Sequence, residues 1–243
     1  MLSPLPSRTK YWGSADERQS AVTALFDRSA EHYDRACGIL SFGSGRHYRR
    51  DALRRNGVQT AMQVLDVGTG TGLLAREIAR VVGPSGRVIG IDPSVRMMTA
   101  GGCQPDVGVV QGLGEQLPFG SSRFDFVTMG YALRHVADLS ETFSEYRRVL
   151  RPNGHVLLLE ITKPASRLGA ALARTYFGQV VPCLAAVGTG STNAGRLMRF
   201  YWDTIEQCVA PSIVLSALRQ AGFSAERTVR FGIFSEYIAL RRD

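Results

Sequence analysis

An α/β protein, with a mostly parallel β-sheet covered by helices on both faces, is what this sequence predicts, and three observations carry the prediction. Between residues 61 and 161, short apolar runs alternate with amphipathic stretches through short connections. The first run, Met62 to Val67, ends in the glycine-rich turn Gly68-Thr69-Gly70-Thr71-Gly72, which opens a helix. The second, Arg87 to Ile91, ends on an acid, Asp92, ahead of Pro93 and Ser94.

Met1 to Trp12, rich in Pro, Ser and Arg, reads as a loose leader without the apolar core of a signal peptide. Asp16 to Asp34 follows as helix, with Val22, Leu25, Phe26 and Ala30 at helical spacing. Ser41 to Gly45 is turn-forming, and His47 to Asn56 is a basic helix, so 13–57 is expected to form an N-terminal helical cap. Within the core, 61–161, helix is expected from Leu73 to Val82, stopped by Gly83-Pro84-Ser85-Gly86, and from Ser94, a capping residue, to Ala100. Phe124 to Met129 is a buried strand and Leu139 to Leu150 a helix. Arg151-Pro152-Asn153-Gly154 is a turn before the strand His155 to Ile161. Residues 162–210, rich in Ala, Gly and Leu, form a helical insertion expected to roof an apolar substrate pocket with Leu168 to Leu197. A last helix, Pro211 to Ala221, precedes an antiparallel pair, Ala225 to Phe231 and Phe234 to Leu240, which completes 211–243. All of this fits one domain over 1–243.

Composition narrows the function. Of 29 basic residues only Lys10 and Lys163 are lysines, so the net charge of +8 reflects an arginine-biased composition rather than a phosphate-binding face. Arg46, Arg49, Arg50, Arg54 and Arg55 have no interleaved aromatics, and no nucleic-acid partner is expected. Loose attachment to an anionic membrane surface remains compatible with the charge. Cys37, Cys103, Cys183 and Cys208 are scattered and expected as reduced packing thiols, and the dispersed histidines give no metal site. The most apolar stretch, Leu168 to Gly188, is broken by Arg174, Gln179 and Pro182, so no membrane span is expected and the protein is placed in the cytoplasm.

The glycine-rich turn lets backbone N–H groups approach a ligand closely. Alone it would also suit a nicotinamide or flavin protein, but the third glycine of that fingerprint would fall at position 73, which is Leu73. Asp66, buried ahead of the turn, is placed to meet a cationic amino group such as that of S-adenosylmethionine (SAM). Asp92 is placed to accept the ribose hydroxyls of an adenosine, and Met97 either packs on adenine or is an ordinary core methionine.

Beyond this point the residues carry a family resemblance. Glu115-Gln116-Leu117-Pro118-Phe119, Phe124-Asp125-Phe126-Val127, Tyr131-Ala132-Leu133-Arg134-His135-Val136 and Tyr146 to Gly154 resemble, in order and spacing, the motifs of class I SAM-dependent methyltransferases. Tyr33-Asp34 with Leu40-Ser41-Phe42-Gly43, and Arg148 to Gly154 running to Glu160-Ile161-Thr162-Lys163-Pro164, resemble the two signatures of the UbiE-type C-methyltransferases of ubiquinone and menaquinone synthesis. The resemblance implies a doubly wound, seven-stranded Rossmann-like sheet with SAM as cofactor and S-adenosylhomocysteine as its product. The implied acceptor is a small quinol or other aromatic, and a homodimer is compatible with it. It further implies that Tyr33 closes over the cofactor, with Gly68, Thr69, Gly70, Pro93, Gly130 and Tyr131 around it. There are departures from the family. Ala36-Cys37 replace Met-Asn, Gly45 and Tyr48 replace His and Trp, and His135 replaces Asn. Leu113 stands where Asp or Asn reads adenine, leaving that contact to the N–H of Gly114. Those changes also suit an O- or C-methyltransferase of specialised metabolism, or a SAM-binding protein without catalysis.

Methyl transfer from a sulfonium needs mainly alignment and water exclusion, but a carbon nucleophile also needs its ring hydroxyl to give up or share a proton. His135 and Arg134, just past the fourth core strand, are expected there, His135 as general base or as a merely structural side chain. Tyr131 is expected to line the methyl channel. Tyr201 either faces the acceptor or packs within its helix.

Overall fold

The computed structural model describes residues 2–102 and 104–242, so Met1, Cys103 and Asp243 lie outside the described residues. The chain builds α1 (Ala15–Ser29), α2 (Tyr33–Leu40), α3 (Gly45–Arg55), β1 (Gln63–Val67), α4 (Ala75–Val82), β2 (Arg87–Asp92), α5 (Val95–Ala100), β3 (Val107–Gln111) and β4 (Phe124–Gly130). After a single 3₁₀ turn, Leu133–His135, come α6 (Leu139–Val149), β5 (Leu150–Ile161), α7 (Arg167–Thr175), α8 (Val181–Thr189), α9 (Thr192–Gln207), α10 (Pro211–Gln220), β6 (Phe223–Arg230) and β7 (Phe234–Arg241).

The seven strands lie in the order β3-β2-β1-β4-β5-β7-β6, with β1 to β5 parallel and β7 antiparallel to both its neighbours. This is the expected doubly wound sheet. Alternate residues of each strand feed opposite cores. Leu65, Val127 and Leu158 pack with Phe143 and Tyr146 of α6. Val64, Phe126 and Leu157 pack with Leu53 of α3 and Ile78 of α4. A third core joins Val22 and Ala36 of the N-terminal helices to Val181, Leu197 and Phe200 of the 162–210 segment. Cap and insertion thus pack on each other, and β1 and β4 meet where the strand order reverses, the point at which such sheets leave a crevice.

Several local expectations need correcting. Residues 2–12 are packed rather than loose. Leu5 and Trp12 are buried, and the carbonyls of Leu2 and Pro4 accept from the N–H groups of Leu139 and Val209. The helix expected through Asp34 breaks after Ser29, whose hydroxyl turns back to the carbonyl of Leu25 and also reaches that of Asn193. β3 was not assigned from its pattern, because it is an edge strand carrying Gly108 and the half-exposed Val109. The turn at 151–154 lies inside β5 as a bulge, where pairing jumps from Phe124–Leu150 to Phe126–His155 and Asn153 takes a φ of 61°. Finally, α7, a π-helical turn at Tyr176–Val180 and α8 run on as one 23-residue helix, within which an 18-residue window has a mean hydropathy of 1.2. By length and composition alone that helix is long and apolar enough to cross a membrane, although Arg174, Gln179 and Pro182 interrupt it.

Candidate cofactor and acceptor site

Two cavities open outside the carboxyl ends of β1, β2 and β4. They share Tyr33, Gly68, Gly70, Gly130, Tyr131 and Tyr201 as a common wall. The first is lined by Asp92, Pro93, Met97, Leu113 and Gly114, and also by Gln19, Thr23 and Glu115. The second is an apolar chamber of about 450 Å³ with Phe42 and Phe231 at its edge and Tyr176 and Phe177 in its wall.

The first cavity suits an adenosine. Gly68 and Gly70 have φ of 67° and 56°, where a side chain is strained. A Cβ on Gly68 would meet that of Ala132 at 2.7 Å, so the turn can lie against the segment that follows β4 only as glycine. The N–H of Gly70 donates to Asp92 Oδ2 and the N–H of Ser94 to Oδ1, both at 2.8 Å. These bonds aim the carboxylate and leave further lone pairs on each oxygen for hydroxyls. Burial raises Asp92 to about 6, against the pull of those two N–H groups. Met97 is 2% exposed and also lines the cavity. Leu113 is 38% exposed at its edge, beside Gly114.

Asp66 lies on the chamber side with Thr69. Its oxygens accept from the hydroxyls of Thr69 at 2.8 Å and Thr128 at 2.7 Å. Burial lifts its pKa to about 6 despite those bonds, so a cationic group arriving beside it would hold it ionised. Two buried carboxylates, a positive-φ glycine turn and a methionine in the cavity wall therefore fit SAM. Tyr131 holds a φ of 61° directly after β4, a strained conformation fixed by its N–H bond to the carbonyl of Leu159 at 2.7 Å. Tyr33 and Tyr201 join hydroxyls at 2.6 Å in the shared wall. The cap is latched to the cofactor loops, since Asp34 accepts from the Thr71 hydroxyl and from Arg76 at 2.9 Å, and Asp27 from the Ser94 hydroxyl.

The expectation that Arg134 and His135 act on the acceptor hydroxyl is corrected by this geometry. Arg134 lines neither cavity. It is 1% exposed and bonded to both oxygens of Glu160 at 2.8 and 3.0 Å, to the Tyr131 carbonyl at 2.9 Å and to Thr204 at 3.0 Å. Its guanidinium sits 4.5 Å over the Tyr201 ring, so it positions the two tyrosines rather than touching an acceptor. His135 faces the cofactor cavity, not the chamber. Its ring packs against Phe26 and Phe200, and both nitrogens are shut off from solvent without a partner. Burial, then Arg134 and Arg18, push its pKa well below the ordinary histidine value.

The insertion supplies the chamber with Tyr176, Phe177 and Tyr201 only. α2, the loop before α3, α3 itself, the glycine-rich turn and the β6–β7 turn supply most of the rest. Cys37, expected merely to pack, lines the chamber, and burial pushes its thiol up to about 12. Arg49, Glu115 and Glu160 were not anticipated as site residues. Glu160 lay within the quoted C-terminal motif, whereas Arg49 was hidden in a run of arginines.

Similarity to known proteins follows the same outline. Residues 13–240 match the model of the ubiE/COQ5 methyltransferase family. The "Ubiquinone/menaquinone biosynthesis C-methyltransferase UbiE" of Pseudomonas putida is 31% identical, over 96% of this chain and 94% of its own. That of Hahella chejuensis is 30% identical, over 85% and 84% respectively. Among solved structures, a SAM-dependent methyltransferase from Aquifex aeolicus superposes with a TM-score of 0.59 at 19% identity, over 84% of this chain and 97% of its own.

Proposed function

The chain belongs to the ubiE/COQ5 methyltransferase family as a SAM-dependent methyltransferase, and from that premise we propose that it methylates a ring carbon of a lipid-like quinol. The observation that carries this reading is the chamber of about 450 Å³, apolar and joined to the cofactor cavity through one shared wall. The methyl donor supplies an electrophilic sulfonium carbon when bound. Asp66, Asp92 and the glycine turn hold the donor, and Tyr33, Tyr131 and Tyr201 set the acceptor ring in line with it and keep water out. The sulfonium would give up its methyl to the ring carbon and remain as the neutral thioether, and the proton displaced from that carbon would pass through the acceptor's own oxygen to water once the chamber opens. Burial raises Tyr33, Tyr131 and Tyr201 well above the ordinary phenol range. They therefore serve as neutral hydrogen-bond partners for the acceptor oxygen rather than as bases.

We further propose that the enzyme works from the cytoplasm against an anionic membrane. Leu168, Leu172, Val180, Leu184 and Val187 form an exposed stripe along the 167–189 helix, and Phe42 and Phe231 are 79% and 84% exposed beside the chamber. Arg46, Lys163, Arg167 and Arg230 are exposed next to these residues in sequence, the charge complement of such a surface. The reaction is tested by offering the protein SAM with a methyl label, a short-chain prenylated naphthoquinol or benzoquinol, and a set of simple phenols. A carbon-methylated quinol is the expected product. An oxygen-methylated product, or transfer only to the simple phenols, would instead point to specialised metabolism, and binding of SAM without transfer to any acceptor would make the protein a non-catalytic binder.

A further inference from the structure

Arg49 is set apart from the other arginines of its helix. Arg50 pairs with Glu77 at 2.8 Å and Arg55 with Glu236 at 2.7 Å. Among the described residues Arg49 forms no ion pair, and its Nε is buried with no hydrogen-bond partner. Yet Arg49 lines the chamber together with Asp66, Thr69 and Gly70. Arg49 is half-buried, and a cation at the chamber wall whose Nε–H is closed off without an acceptor offers a ligand anion a charge-assisted hydrogen bond.

The charges around it narrow that anion. Arg49 is close enough to hold down the pKa of Asp66, Cys37 and Tyr131. Cys37 and the chamber phenols Tyr33, Tyr48, Tyr131, Tyr176 and Tyr201 are all raised by burial and stay neutral. Glu236, behind Tyr48, is taken by Arg55 and Asn56. Asp66 is thus the one carboxylate of the chamber wall, and both its oxygens are engaged by threonines. An α-amino acid carries its ammonium and carboxylate on one carbon. A cation within electrostatic reach of the carboxylate that meets the ammonium therefore matches the other end of the same zwitterion.

We infer that the Arg49 guanidinium binds the carboxylate at the methionyl end of SAM and S-adenosylhomocysteine, opposite the ammonium held by Asp66. An ionised ring hydroxyl of the acceptor would offer the same anionic oxygen. The methionyl carboxylate fits better because it comes paired with the group that Asp66 meets. The inference rests on the cofactor reading of Asp66 and Asp92.

The test is calorimetric titration of wild type, Arg49→Met and Arg49→Lys with S-adenosylhomocysteine and with 5′-methylthioadenosine, which keeps the adenosine and thioether but lacks the amino-acid end. Loss of one charge-assisted bond predicts S-adenosylhomocysteine weakened about ten- to a hundredfold in Arg49→Met, with Arg49→Lys in between. Methylthioadenosine affinity should not change, which also shows that the variant is folded around its adenosine site. Equal weakening of both ligands would overturn the assignment in favour of a structural role. Unchanged S-adenosylhomocysteine affinity would overturn it as well, and a raised KM for the quinol would then give the guanidinium to the acceptor oxygen. A wild-type protein that binds neither ligand would bring down the cofactor reading itself, and Arg49 with it.

Discussion

The His135 ring lies 5.4 Å from Phe26 and 5.3 Å from Phe200, the second contact stacked, with no hydrogen-bond partner on either nitrogen. Its depressed pKa means that the folded state favours neutral imidazole. The stability this lends is complete above the unfolded value of about 6.5 and is lost as the pH falls from there through the folded-state pKa. His135→Asn should therefore be less stable than the wild type at neutral pH, with the gap narrowing on acidification. The raised carboxyls of Asp66 and Asp92 act in the opposite sense, favouring the folded state at low pH, but they are common to both proteins and drop out of the difference. Turnover at neutral pH should keep its shape, since no limb near neutrality belongs to this ring. Paired thermal melts across a pH series check this, and a Tm gap independent of pH would show that the imidazole does not titrate on unfolding.

The Arg134–Glu160 pair ties three elements together. Arg134 sits in the 3₁₀ turn after β4, Glu160 lies near the end of β5, and Thr204 on α9 accepts from the Arg134 Nε–H. Glu160→Ala leaves the guanidinium buried without a counter-charge, which typically costs about 3–5 kcal/mol. Denaturant midpoints measured at a constant m-value should move accordingly, and a loss below about 1 kcal/mol would mean that water or another partner replaces the carboxylate. Such ties explain what could be read from the chain alone. β1, β2 and β4 announce themselves because they are buried on both faces and appear as apolar runs, and Asp66 and Asp92 because strand, turn and acid are neighbours in sequence. β3 has one exposed face and a glycine, so its pattern is too weak. The ordered leader was illegible because Leu5 and Trp12 are buried by residues nearly two hundred positions away, such as Phe200. Arg134 looked catalytic because its position is local information, while its partner Glu160, 26 residues on, is not.

At the scale of the whole molecule, the exposed stripe, Phe42 and Phe231 lie on the elements that bound the chamber, and the protein carries a net charge of +8. Each basic residue near an anionic surface adds about 1 kcal/mol, so the wild type should sediment with phosphatidylglycerol vesicles and come off with salt. Leu168→Gln combined with Phe231→Ser should weaken that binding without changing affinity for S-adenosylhomocysteine. Equal partition of variant and wild type would remove the membrane contact. The two cavities share one wall and otherwise draw on different parts of the chain. Gln19, Thr23 and Glu115 line the cofactor cavity alone, and the exposed Phe42 and Phe231 line the chamber alone. Under the proposed membrane contact, the donor's adenosine end and the acceptor would approach the shared wall past different residues, so exchanging one need not displace the other, and several methyl groups could be delivered in one visit to the surface.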